Sequence, residues 1–171
     1  ALLTPNNSAQ LEITNRYLES VNEVIEAADT YLIDQYGTTI AASNWRKPRS
    51  FVGRNFAFRP YFKQAIVGSN SQYYALGSTS GKRGYYYSYP IIYAGGAIGV
   101  VVVKMDLSKI EDIWQQAASV FVASDPAGII FMSSRADWLF KSLKPLSESQ
   151  KAQVWASKQY LDTEIVSLDL V

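Results

Sequence analysis

Lys104 and Arg59 are the two residues of this chain whose surroundings least explain a charge. Lys104 interrupts the run Gly99-Val-Val-Val-Val-Lys-Met-Asp-Leu107, a nearly continuous apolar strand in which an ammonium is costly to bury without a partner. It is an edge-strand charge that blocks aggregation, a snorkelling stem, or a fixed cation facing an anionic ligand. Arg59 stands just before Pro60 at the start of a predicted short helix, where the helix dipole does not favour a cation. A lone arginine there is ordinarily solvated or paired; the alternative is an arginine placed for a ligand. Between the two cations lies YYALGSTSGKRGYYYSYPI, Tyr73 to Ile91, with six of the chain's twelve tyrosines around a loop of small hydroxyl residues. Ser78, Thr79 and Ser80 are turn formers that bond their own backbone, or hydroxyls that meet a carboxylate. Strand alternation puts Tyr85, Tyr87 and Tyr89 on one face and Tyr86 and Ser88 on the other, so one set only can line a pocket. Tyrosine is also a good strand former with an amphipathic ring, which accounts for most of the six.

Two separated cations with hydroxyls and rings suit a small molecule carrying two carboxylates, one taken by a guanidinium fork and the other by an ammonium. Such a site binds and does not react. With no histidine and no cysteine, the chain lacks the commonest general base, metal ligand and thiolate, which weighs against Ser/His/Asp, Cys/His and zinc chemistry. No catalytic residue, metal site or cofactor is expected. A carboxylate-based hydrolase using Asp106 or Asp125 is the remaining enzymatic reading, although Asp125 sits in a turn where Asp is common. A structural adhesion module is the non-binding alternative. Sixteen basic and fifteen acidic residues give a net charge of +1 with no block of like charge, so neither nucleic acid nor an anionic membrane surface is expected as partner. The longest apolar run, Ala97 to Val103, is far below the roughly 20 residues that span a bilayer. The N-terminus lacks the features of a signal peptide, and the chain reads as a soluble piece of something larger.

The elements that would position these groups follow from periodicity. A helix begins near Ser8, with Leu11, Leu18 and Ile25 at one heptad position and Thr14, Val21 and Ala28 at the other. It lies on its own domain or forms a parallel dimer helix. Thr30 to Ser43 reads as a hairpin turning at Gly37. A basic loop from Asn44 to Ser50 precedes the short helix Ala57 to Ile66, which Gly68 to Ser71 ends. Strands Gln72 to Gly77, Gly84 to Tyr93 and Ala97 to Asp106 form an antiparallel meander. Ser108 and Glu111 match a capping box for a helix carrying Ile110, Ile113 and Trp114, with a domain boundary near Ala118. Beyond it, Ser119 to Ser134 echoes the first hairpin: Asp125 and Gly128 repeat the three-residue interval of Asp34 and Gly37. An aromatic helical piece, Arg135 to Leu143, follows, then a helix from Ser147 to about Lys158 with Ala152 and Trp155 apolar, then the start of a strand at Tyr160.

Phe51-Val-Gly-Arg-Asn-Phe-Ala-Phe-Arg-Pro-Tyr-Phe62, Tyr74 to Tyr89 and Gly99 to Leu107 together resemble the periplasmic sensor region of four-carbon dicarboxylate sensor histidine kinases of the DctB type. The resemblance runs from the leading helix through Ala136-Asp-Trp-Leu-Phe140. It implies an α+β fold: a long N-terminal helix (1–29), a membrane-distal PAS-like (Cache) ligand-binding module (30–118) and a smaller, incomplete membrane-proximal one (119–171), both with antiparallel sheets. It implies that Arg59 and Lys104 are the carboxylate-binding cations, that Ser78, Thr79 and Ser80 form the hydroxyl loop, and that Tyr87 contacts ligand. The family tends to place a tyrosine shortly before the arginine; this chain has Phe56. The implied ligand is succinate, fumarate or malate, and the implied assembly a homodimer through the N-terminal helix. The implied parent is an inner-membrane, ATP-dependent protein-histidine kinase that signals to a response regulator and controls dicarboxylate uptake. A chemoreceptor ectodomain, or a Cache sensor for another small carboxylate, is the alternative.

Overall fold

The computed structural model describes residues 8–170. Helix α1, Ser8–Val24, buries Thr14, Asn15 and Leu18, with Leu11 and Val21 half-buried beside them. The seam foreseen for this helix therefore faces its own domain. Two polar side chains on it fix the docking: Asn15 Oδ1 accepts the Ala42 N–H at 2.8 Å, and Asn22 Oδ1 accepts the Thr30 hydroxyl at 2.8 Å. Ile13, Tyr17 and Val24 point outward, 60, 67 and 83% exposed.

Strands β1 (Asp29–Asp34), β2 (Thr39–Ala42), β3 (Ser71–Leu76), β4 (Arg83–Tyr93) and β5 (Gly96–Met105) form one antiparallel sheet in the order β2-β1-β5-β4-β3. The meander β3-β4-β5 stands as the sequence predicts, and β1 adds to its far side so that β5 is central. Ala94 and Gly95 both take positive φ (+49° and +82°), the requirement of a tight two-residue hairpin between β4 and β5. Helix α2, Pro60–Ile66, lies on one face of the sheet and sinks Tyr61, Phe62 and Ala65 against Tyr31, Ile33, Phe51, Phe56, Val100 and Val102. Burial of each large apolar side chain in such a core is worth about 1.5–3 kcal/mol.

Helix α3, Ser108–Gln115, leads out of the sheet, and the capping box predicted for it does not form. Its N-cap is Leu107, the Ser108 N–H is taken by Asp106 Oδ1 at 2.9 Å, and Glu111 is drawn instead into an ion pair with Arg83. A full charge partner outcompetes a backbone N–H. The hairpin β6 (Val122–Ser124) and β7 (Ile130–Ser133) follows. Of the helical piece expected after it, one 3₁₀ turn forms, Ala136–Trp138, and Phe140 at φ +62° ends it. Helix α4, Glu148–Ser157, does have a capping box, Ser147 with Gln150. Its expected apolar residue Trp155 is exposed, and Val154 packs inward instead. After Tyr160 the chain makes one bridge, Ser142 with Ser167, rather than a regular strand. This C-terminal part builds a second core of Leu107, Ile129, Phe131, Met132, Leu146 and Tyr160. Tyr74, Leu76 and Tyr85 pack on it from the sheet face opposite α2.

Candidate ligand-binding site

Lys104 lies on β5, the middle strand of five, and is 2% exposed. Neither an edge-strand charge nor a snorkelling stem fits that position. Register places its Cα opposite Asp29 on β1 and Tyr86 on β4, so the three side chains share the face covered by α2. Room for its stem comes from Gly84: a Cβ there would stand 2.5 Å from Lys104 Cε and 2.8 Å from Cγ. A glycine inside a strand is the signature of such a close approach. Lys104 Nζ donates to Ser80 Oγ at 2.9 Å and to the Lys82 carbonyl at 3.5 Å, and stands 5.7 Å from the Tyr86 ring centre. Burial pushes its pKa below the usual lysine range, opposed chiefly by Asp29; burial likewise raises the Asp29 carboxyl, opposed first by Lys104.

Arg59 is also 2% exposed. It occupies the N-cap of α2 without capping it: its φ and ψ are extended and its side chain turns away from the helix. The guanidinium donates to two main-chain carbonyls, Leu76 at 2.7 Å and Lys158 at 2.8 Å, and its Cζ lies 5.1 Å from the Phe58 ring centre. Arg59 is thus paired, but with carbonyl dipoles and not with a carboxylate, which leaves its charge uncompensated by an anion in these contacts.

The two cations meet around one peptide. Gly77 follows Leu76, the Arg59 acceptor, and a Cβ on Gly77 would lie 2.4 Å from Ser80 Oγ, 3.2 Å from Tyr86 OH and 3.3 Å from Lys104 Nζ. The loop closes through Gly77 N–H to the Lys82 carbonyl (2.9 Å) and Gly81 N–H to the Gly77 carbonyl (2.7 Å). Arg59, Ser78, Thr79, Gly77 and Tyr86 line a small chamber walled by Tyr31, Tyr61, Phe51 and Phe56. Its volume is about 10 Å³, room for one water. Ser80 and Lys104 line instead an outer cavity of about 330 Å³, bordered also by Lys47, Arg49 and Lys82, and Phe51 is common to both.

Of the six residues expected at the site, Arg59, Ser78 and Thr79 line the chamber, while Ser80 and Lys104 line the outer cavity beside it. Tyr87 is the exception. Its Cα pairs with Val103 rather than Lys104, so strand alternation turns it to the opposite face, where its ring packs on Tyr85 at 4.6 Å. Tyr86 takes the place assigned to it, stacked on Tyr61 with ring centres 5.2 Å apart. Sequence reasoning also missed Tyr31 and Tyr61, whose hydroxyls are 2.9 Å apart, and the two glycines that let Lys104 approach. The signal for Tyr86 was present in the period-two pattern of β4, which named both faces without choosing one; Tyr31 and Tyr61 come from other elements and had no such signal. Burial raises the hydroxyls of Tyr31, Tyr61 (to about 12) and Tyr86, so all three are neutral hydrogen-bonding groups at ordinary pH.

The geometry of these groups can be set beside known proteins. No protein-family model matches the chain. It is 39% identical over 160 residues, 94% of its length, to the C4-dicarboxylate transport sensor protein DctB of Pseudomonas aeruginosa, and 37% over 168 residues, 98% of its length, to that of Rhizobium meliloti. Against the crystal structure of the V. cholerae histidine kinase DctB sensor domain it shows 62% identity and a TM-score of 0.90 over 98% of the chain. The chain belongs to the DctB-type sensor-domain family. It spans about a quarter of the curated DctB relatives (26% and 27%) and 65% of the solved sensor domain. What is matched in that structure is the sensor domain of a histidine kinase. The ligand-binding domain of the Campylobacter jejuni chemoreceptor Tlp3, at 13% identity and a TM-score of 0.60, shares the fold alone.

Proposed function

We propose that this DctB-type domain senses four-carbon dicarboxylates, succinate, fumarate or malate, with Arg59 holding one carboxylate and Lys104 the other. Ser78, Thr79 and Ser80 supply hydroxyls from the loop, and Tyr86 with Tyr61 supplies the wall. The single observation that carries this reading is the convergence of Lys104 Nζ, Ser80 Oγ and Tyr86 OH on Gly77, next to the Leu76 carbonyl held by Arg59. Two buried cations beside one peptide favour an anion that joins them. Charge-assisted hydrogen bonds contribute roughly 1.5–3 kcal/mol each, so two or three of them support micromolar affinity after the cost of ordering a small ligand.

In this reading residues 30–118 are the membrane-distal PAS-like module and 119–171 part of a smaller proximal one. The parent is a periplasm-facing inner-membrane histidine kinase that controls dicarboxylate uptake through a response regulator. The homodimer contact passes to the stripe Ile13, Tyr17 and Val24 of α1, since the other apolar seam is occupied by β1 and β2. Calorimetric titration of the 171-residue chain with succinate, fumarate, malate, aspartate and acetate tests the ligand class. Saturable one-site binding by the dicarboxylates and none by acetate is expected. Binding of acetate as tightly as succinate, or no heat with any dicarboxylate, would sink the two-cation site.

A further inference from the structure

The loop that carries the ligand hydroxyls is tied at both ends to the C-terminal part of the chain. At its start, the Leu76 N–H donates to the Gln159 carbonyl (2.8 Å), and the Gln159 side-chain amide donates to the Tyr74 carbonyl (2.9 Å). Arg59 spans the same junction, with one nitrogen on Leu76 and another on Lys158, the left-handed residue that ends α4. At the loop's end, Arg83 forks onto Glu111 of α3 and donates to the Phe131 carbonyl of β7 at 2.9 Å. Glu111, 5% exposed, also accepts the Ser133 N–H at 3.3 Å. Residues 77–82 therefore hang between two anchors, each reaching outside the large sheet.

The chamber behind that loop holds about 10 Å³, whereas a four-carbon dicarboxylate is many times larger than a water. Phe51, Phe56, Tyr31 and Tyr61 are fixed by the core on its other sides. The parts that can give are the loop, held by both anchors, and the Arg59 side chain, held by the first. We infer that these anchors form a latch between the ligand chamber and the C-terminal part, so that widening the chamber for a dicarboxylate and loosening Lys158–Gln159 and Phe131 from the loop are one event. This rests on the dicarboxylate reading for its ligand but not for its geometry. The latch makes the ligand site report to the rest of the protein, because linkage is reciprocal: whatever binding does to the anchors, weakening the anchors does to binding. A chamber held shut binds with an affinity reduced by the fraction of molecules whose chamber is open.

The test uses Glu111→Gln, which removes the anion facing Arg83, and Gln159→Ala, which removes the amide clasping Tyr74; neither side chain lines the chamber. Both variants are expected to bind succinate at least about fivefold more tightly than the parent chain, within the usual range of coupling between linked sites. The half-buried capping residue Gln150, changed to Ala, is expected to leave succinate affinity within twofold. Hydrogen exchange supplies a readout that needs no ligand: the Gly77 and Gly81 amides exchange faster in both variants. Unchanged or weaker succinate binding in Gln159→Ala with unchanged loop exchange overturns the latch. If the parent chain takes no succinate, the dicarboxylate reading fails by itself and loop exchange alone decides the latch. Should Glu111→Gln not fold, Gln159→Ala decides.

Discussion

The chain builds one turn twice and then uses the two copies differently. In the first, Asp34 Oδ1 accepts the N–H groups of Tyr36 and Thr38, and the Gly37 N–H returns to the Asp34 carbonyl. In the second, Asp125 Oδ1 accepts Ala127 and Ile129, and Gly128 returns to Asp125. The match extends beyond the hairpin. The Gly37 carbonyl accepts Phe56 and the Gly128 carbonyl accepts Leu143; Thr39 exchanges bonds with Gly53 and Arg54, as Ile130 does with Phe140 and Lys141. Gly53 and Phe140 even share positive φ. Divergence begins at the helix that comes next. Helix α4 opens with Ser147 in a full capping box, whereas α2 opens with Arg59, which caps nothing and spends its guanidinium on the chamber wall. The first copy gives up a cap worth about 1 kcal/mol to plant a buried cation. The second keeps the cap, and its buried charge after residue 118, among the described residues, is the anion Asp125. The proposed site uses the buried cation of one copy, and the departure from good helix capping marks which one.

Converting the first copy toward the second breaks the comparison most sharply. Arg59→Ser supplies the missing cap but removes the guanidinium, and two lost charge-assisted bonds of about 1.5–3 kcal/mol each lower succinate affinity more than about 100-fold by calorimetry. Urea unfolding shows whether the variant stays folded, and affinity within tenfold of the parent would remove Arg59 from the site. Next in size is a glycine pair with the same backbone and different neighbours. A Cβ at Gly37 meets Ala57 Cβ at 2.5 Å, while at Gly128 nothing stands within 4 Å. Gly128→Ala is therefore expected to cost about 1–2 kcal/mol of strain alone, and Gly37→Ala about 1–3 kcal/mol more from overpacking. Equal losses in urea would show that the first turn is not pinned by Ala57.

The pH dependence separates the two regions again, at about tenfold per unit at most. Lys104 has a folded pKa below lysine's 10.5, so the folded chain binds fewer protons than the unfolded one between those values and stability rises with pH there. Succinate binding needs the charged form and falls across the same window. Tyr31, Tyr61 and Tyr86 are raised above the ordinary tyrosine value by burial and do not confuse the reading. Titrations from pH 7 to 10 are expected to show affinity declining before pH 10.5, and a flat profile would place Lys104 outside the contact. The smallest effect belongs to the second copy: Ser147→Ala loses about 1 kcal/mol in urea without altering succinate affinity.

Much of the fold was legible because its signals are local. Period-two alternation located β1 to β5, Pro60 fixed the start of α2, and the Asp-to-Gly interval exposed the repeat of turns. The capping box at Ser108 failed because Glu111 had a stronger distant partner in Arg83, which lies 28 positions away and carries no local trace. The helical piece after β7 shrank to a single 3₁₀ turn because Phe140 had to turn back and pair with Ile130. Within the site, Arg59 and Lys104 stood out as charges against their local grain. The choice between Tyr86 and Tyr87 could not be made from one strand, since alternation is symmetric until something covers a face.

By itself the sequence, with no histidine and no cysteine, removed the commonest nucleophilic and metal chemistry, and it nominated the two cations and the hydroxyl loop. Those are statements about residue type and local periodicity, which the chain carries wherever it goes. Tertiary structure alone decided that β5 is central, that α2 covers the Tyr86 face, that Gly77 and Gly84 open a path for Lys104, and that Arg59 reaches Lys158 across 99 positions. Each of these depends on which surfaces meet, and that is settled by burying the most apolar area with every buried polar group partnered, a condition on the whole chain and not on any stretch of it.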